Sequence, residues 1–162
     1  MYHCYGSSAV YDTFQLSNVS PQSEELNNGP WKHLETLVRE NYSISCDEVW
    51  VIAGPIFDDS NGQAYLAKDA AHCGNPRKPV EIPDAFYKIV IDEKDGEIRA
   101  LAFIMESSEG YGYGEGNSIV ERLSGYLVDI DEIEDRIGLD FLSDLDEAAE
   151  AELESDDTPS MW

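Results

Sequence analysis

Between residues 14 and 42 the chain sets amide, carboxylate and cationic side chains at spacings that can do chemistry. Phe14-Gln15-Leu16-Ser17-Asn18-Val19-Ser20-Pro21-Gln22 is followed by Leu26-Asn27-Asn28-Gly29-Pro30-Trp31-Lys32-His33-Leu34-Glu35. A hard divalent cation such as Mg²⁺ binds oxygen and keeps several of its waters, so one amide carbonyl suffices to hold it, and Asn27 can supply that carbonyl. Glu35 and Arg39 fall four residues apart, which on a helix puts them on one side. A carboxylate would then lie beside an ion's water shell and a guanidinium beside a phosphate. Taken singly, an Asn ahead of a Gly is a turn residue and a Glu/Arg pair at this spacing is a solvated ion pair. The weight lies in their joint order.

The elements that must position these groups follow from local chemistry. Gly29 relaxes the backbone and Pro30, with no N–H to lose, suits the first position of a helix. Trp31 to Tyr42 then reads as helical, with Leu34, Val38 and either Trp31 or Tyr42 as the buried stripe. The apolar, β-branched run Asp47 to Phe57 reads as a buried strand stopped at Gly54-Pro55. Ile82 to Ile91 and Ala100 to Met105 flank Asp95-Gly96, a hairpin signal, and should pair antiparallel. Asp129 with Glu132 three residues on is a helix start; Ile130, Ile133 and Ile137 give the apolar stripe and Gly138 the stop. The expected fold class is α+β, an antiparallel sheet flanked by helices.

The string N-x-x-P-Q followed by N-x-G-x-W-x-x-L-E, carried here by Asn18, Pro21, Gln22, Asn27, Gly29, Trp31, Leu34 and Glu35, resembles the DNA/RNA non-specific endonuclease family of ββα-metal folds. Similarity continues with lower specificity through Asp12 to Leu153. The resemblance implies a central strand at Asp47 to Phe57 and a late helix at Asp129 to Phe141. It implies metal-dependent hydrolysis of DNA and RNA to 5′-phosphorylated products, with Mg²⁺ or Mn²⁺ as cofactor. Carried over by position, Asn27 is the metal ligand, Glu35 the carboxylate holding metal waters, Arg39 the phosphate contact and Asn18 a positioning group. The family's general-base histidine lies in an Asp-Arg-Gly-His string upstream of the position of Asn18, and these 162 residues contain no such string. The chain therefore looks like the C-terminal portion of the fold, incomplete at its N-terminus and truncated or impaired as an enzyme. His3 stands upstream but at a free terminus; His33 and His72 read as surface residues.

Composition bounds the rest. With 162 residues and 42% hydrophobic content the chain can bury one core. A nuclease-like domain over residues 1–153 is expected, followed by an acidic, disordered tail at 154–162. Ten basic against 34 acidic residues give a net charge of −24, a poor steering surface for a polyanion. Fourteen of the acids lie between Asp129 and Asp157, where Arg136 is the lone cation, so the acidity is concentrated away from the residues above. A high-salt habitat, an upstream basic segment and an acidic interaction protein that keeps the scaffold without the reaction all accommodate this charge. Cys4, Cys46 and Cys73 form no C-x-x-C pair; free or buried thiols are expected ahead of a Cys46–Cys73 bridge. The glycine-rich stretch 109–116 reads as a mobile loop. No run is long and apolar enough to cross a membrane and no signal peptide opens the chain, although the resemblance suggests a secreted or periplasmic setting.

Overall fold

The computed structural model describes residues 19–58, 64–65, 80–108, 118–154 and 161. The first helical layer runs from α1 (Glu24–Leu26) through a π-type turn (Asn27–Trp31) into α2 (Lys32–Leu37), then through a second π-type turn (Val38–Tyr42) into α3 (Ser43–Ser45). Six strands and one helix follow: β1 (Glu48–Ile56), β2 (Ala64–Tyr65), β3 (Glu81–Ile82), β4 (Ala85–Lys94), β5 (Glu97–Glu106), α4 (Ile119–Leu123) and, after a 3₁₀ turn, β6 (Leu127–Val128). Helices α5 (Ile130–Ile137) and α6 (Glu147–Glu154) complete the described chain. The main sheet is antiparallel in the order β1-β4-β5-β6, and β2 pairs with β3 separately.

Strand β4 explains why the molecule has two cores. Side chains alternate across a strand, so a strand covered on both faces must be apolar at successive positions. Phe86 and Val90 join Leu26, Leu34, Leu37, Tyr42, Leu101, Phe103 and Met105 on the side of the first helical layer. Tyr87 and Ile89 join Ile56, Ala102, Ile104, Ile130 and Ile133 on the side of α5. The sheet is thus the middle of three layers. The hairpin expected at Asp95-Gly96 joins β4 to β5 with Lys94 opposite Glu97, and both turn residues have positive φ, 54° and 83°. That is what a tight two-residue hairpin requires. The expected start and stop of α5 also hold. The Asp129 carboxylate accepts from the Glu132 N–H at 2.8 Å, and Gly138, at φ 67°, donates to the Glu134 carbonyl.

Two expectations are corrected. The run Asp47 to Phe57 is not buried throughout, and among the described residues β1 lies at the edge of the main sheet, with Trp50 and Val51 each more than 40% exposed. An apolar β-branched run signals a strand without saying how many neighbours it has. Nor does Gly54-Pro55 stop the strand, which runs on to Ile56. Proline is tolerated because an edge leaves one row of N–H groups outside the ladder. A Cβ on Gly54 would come within 2.7 Å of the Tyr87 ring, so glycine here lets that side chain cross. Glu154, the first residue of the expected tail, closes α6 and is buried; 155–160 and 162 lie outside the described residues. The loop read at 109–116, and His3, His72, Cys4 and Cys73, also lie outside them.

One buried carboxylate ties the far end of the first layer to the sheet. Asp92 has no solvent exposure; its cross-strand neighbour Arg99 donates from Nε to Oδ1 at 3.0 Å and from Nη2 to Oδ2, and the Cys46 thiol donates to Oδ2 at 2.7 Å. Burial and the Asp92 hydrogen bond both push the Cys46 thiol up, keeping it a protonated donor and a free cysteine. Removing one partner of a buried pair leaves an uncompensated charge, whereas replacing both with apolar groups is far cheaper. Arg99→Met should therefore cost about 3–5 kcal/mol in urea unfolding, and Asp92→Leu/Arg99→Met should recover much of that loss. A double variant no more stable than Arg99→Met would show that the pair is not the source of the cost.

Candidate active site

The first helical layer is bent where the amide-bearing segment meets the helix. A proline disfavours the α region for the residue before it, and Gly29 departs to φ −96°, ψ −119°, at the least steric cost of any residue type. Asn27 sits in the last turn before this kink. Its N–H donates to the Ser23 carbonyl at 3.0 Å, while its side chain is exposed and makes no hydrogen bond among the described residues. The amide carbonyl is free to meet a ligand.

Glu35 lies beyond the kink on α2, half exposed, with one oxygen 3.6 Å from the Lys88 ammonium. Lys88 comes up from β4 beneath the helix and is only 4% exposed. Its ammonium stacks over the Trp31 ring at 3.9 Å, and Trp31 meets Phe86 edge-on with centroids 5.8 Å apart. Burial lowers the Lys88 pKa, and the neighbouring Glu35 carboxylate opposes that shift. Lysine at this position was legible only as part of a strand; given the alternation of β4, its place between Phe86 and Val90 puts it on the face toward the first helical layer. It acts on Glu35 by fixing where the carboxylate can be.

Arg39 is placed differently from Glu35. The π-type turn Val38–Tyr42 begins between them and widens the spiral, and the two do not pair. Arg39 instead contacts Glu40 at 3.5 Å and donates to the Thr36 hydroxyl at 3.3 Å, at the surface. Asn18 lies outside the described residues, and His33 is half-buried on α2. Asn27, Glu35 and Arg39 thus share one helical layer without touching one another.

Beside Trp31 a cleft of ≈ 320 Å³ opens between the segment Ser20 to Gln22, the Ala53 to Pro55 stretch of β1 and Phe86. Among the described residues no charged side chain lines it. Gln22 Nε2 is buried there without a hydrogen-bond partner, a donor left for an acceptor that enters the cleft. The first-layer groups offer oxygen only: an amide carbonyl at Asn27 and an anchored carboxylate at Glu35. That set suits a hard divalent cation that keeps most of its waters.

The fold belongs to a known class. The model of the DNA/RNA non-specific endonuclease family matches residues 2–148, and the chain is a member of that family. It is 30% identical over 150 residues to "Endonuclease G, mitochondrial" of Homo sapiens, covering 88% of this chain and 46% of that protein. It is 26% identical to "Nuclease EXOG, mitochondrial" of Homo sapiens, covering 90% and 38%, and 26% identical to "Nuclease" of Serratia marcescens, covering 86% and 47%. The chain spans less than half the length of these relatives.

The two charged helix residues should behave differently on removal. Glu35→Ala leaves the buried Lys88 ammonium without its carboxylate and should cost about 1–3 kcal/mol, toward the lower end because Glu35 is half exposed and solvent-screened. Arg39→Ala removes only surface contacts and should stay within about 0.5 kcal/mol of the parent. Denaturant midpoints measure both; equal losses would mean that Lys88 does not depend on Glu35.

Proposed function

We propose that this chain carries the metal- and phosphate-binding part of an endonuclease site that hydrolyses phosphodiester bonds of DNA and RNA to 5′-phosphorylated products with Mg²⁺ or Mn²⁺. The observation that carries the reading is the oxygen-only pair on one helical layer, Asn27 with a free amide carbonyl and Glu35 held by Lys88, beside an uncharged cleft. Family membership supports it. A bound divalent ion would polarise the phosphoryl oxygens and offset charge on the leaving oxygen. Asn27 would hold it directly.

The remaining steps belong to the protein's own side chains. Glu35, with Lys88 restricting its rotamers, accepts hydrogen bonds from water and orients it. Arg39 exchanges its exposed contact with Glu40 for a phosphate oxygen, an exchange that costs little because a surface ion pair is weak. Gln22 offers its Nε2 donor to an acceptor in the cleft, and Asn18 acts as a positioning group. Removal of the water's proton requires a base, and the family's Asp-Arg-Gly-His string has no counterpart in these residues. The chain alone is thus an impaired nuclease. The runner-up, a catalytically inactive acidic interaction protein on the same scaffold, requires carboxylates spread over the binding face. Against it, α5 with its acids packs on the opposite side of the sheet from Asn27 and Glu35.

Mn²⁺ titration with paramagnetic relaxation readout should show broadening centred on residue 27 that disappears in Asn27→Ala. Plasmid and RNA incubated with the chain and Mg²⁺ should be cleaved only feebly, since a general base contributes about 10²–10⁴-fold. Equal broadening in both proteins removes Asn27 from the site. Vigorous metal-dependent cleavage that persists in Asn27→Ala places the chemistry elsewhere.

A further inference from the structure

The C-terminal helices bring together two groups of carboxylates that share the buried Glu154. Asp131 and Glu134 lie one turn apart on α5, Glu150 and Glu154 one turn apart on α6, and Asp140 in the segment between them. Asp131, Glu134 and Glu154 offer ligand oxygens all within 4.8 Å of one another, and so do Asp140, Glu150 and Glu154. Glu154 belongs to both groups. It is 9% exposed, and its Oε1 is buried with no hydrogen-bond partner.

Among the described residues no cation pairs with this cluster. Arg136 is the lone basic residue between Asp129 and Asp157, and it is committed to Asp58 and to Glu106, the latter at 3.1 Å. Glu134 gives Oε1 to the Phe141 N–H, which leaves its second oxygen. Glu154 also sits at the C-terminal end of its helix, where the helix dipole is itself unfavourable to an anion. An unpartnered buried carboxyl oxygen placed among four other acids is suited to hold a cation.

We propose that α5 and α6 form a second divalent-cation site, centred on Glu154 and completed by Asp131, Glu134, Asp140 and Glu150, that takes one Ca²⁺ and clamps the two helices together. Ca²⁺ fits because it accepts six to eight oxygens in irregular geometry at about 2.3–2.6 Å, so it can be held by several carboxylates from two helices. Mg²⁺ demands a smaller, near-octahedral shell and gives up its waters reluctantly. The site lies across the sheet from Asn27, because α5 packs in the opposite core from α2. It is independent of the nuclease reading, and the ion here is structural.

The test is calorimetric Ca²⁺ titration of the whole chain carrying Asn27→Ala, at about pH 8 and about 0.15 M KCl to screen diffuse binding. One Ca²⁺ equivalent should bind in preference to Mg²⁺, and adding Glu154→Gln or Glu150→Gln should weaken it at least about tenfold. Glu48→Gln, on β1, should leave it unchanged. Melting adds a readout that a purely structural role for Glu154 would not give: ion-free Glu154→Gln should melt no lower than its parent, since repulsion has been relieved, yet lose the Ca²⁺-induced rise. No saturable binding up to about 10 mM Ca²⁺, or unchanged binding and Ca²⁺ response in both Gln variants, overturns the site.

Discussion

The architecture depends on one strand being covered on both faces. Because β4 alternates sides residue by residue, Phe86, Lys88, Val90 and Asp92 point to the first helical layer while Tyr87, Ile89 and Ile91 point to the second. Burial of each apolar side chain contributes on the order of 1.5–3 kcal/mol. The strand can therefore hold both layers only if polar groups on it are matched. Lys88 and Asp92 are the two buried charges on this strand, and each finds its partner: Glu35 with the Trp31 face for one, Arg99 with Cys46 for the other. An unmatched charge at either position would cost more than a neighbouring apolar contact supplies.

These two matches also set how the helical layer lies on the sheet. Trp31 meets Phe86, Glu35 meets Lys88 and Cys46 meets Asp92, so the layer advances along β4 in the strand's own direction. The kink at Gly29-Pro30 then turns the segment before it away from this line and leaves the Asn27 side chain in solvent. A rigid seat for Glu35 and an open carbonyl at Asn27 are consequences of the same packing. Pre-organised polar groups on packed elements are what a metal-assisted site requires, since positioning is settled before the substrate arrives.

The sheet also divides the charge. The cleft by Trp31 is lined by uncharged side chains, whereas the carboxylates of α5 and α6 gather behind the second core. Coulombic repulsion between like charges falls off over about 8–10 Å in physiological salt, so acids behind a full layer of packed sheet burden a phosphate in the cleft much less than their number suggests. A net charge of −24 is for this reason compatible with a polyanion-binding face.

Local chemistry determined much of this protein from the sequence alone. Asp95-Gly96 specifies its hairpin because few residue pairs tolerate two positive φ angles, and Asp129, Glu132 and Gly138 specify α5 because capping involves neighbours only. The order and spacing of Asn18 to Glu35 pointed to the family, which the comparison over residues 2–148 then established. Tertiary structure decided the rest. That Asp47 to Phe57 forms an edge is a matter of which strands pair, and an apolar run is the same in either place. The partnering of Glu35 with Lys88, 53 residues away in the chain, depends on a helix being laid across a strand. So does the grouping of four other acids with Glu154, which in sequence are only part of a uniformly acidic stretch. Sequence spacing sets local geometry within a few turns; distances between elements follow from how their apolar faces are buried, and packing alone sets those.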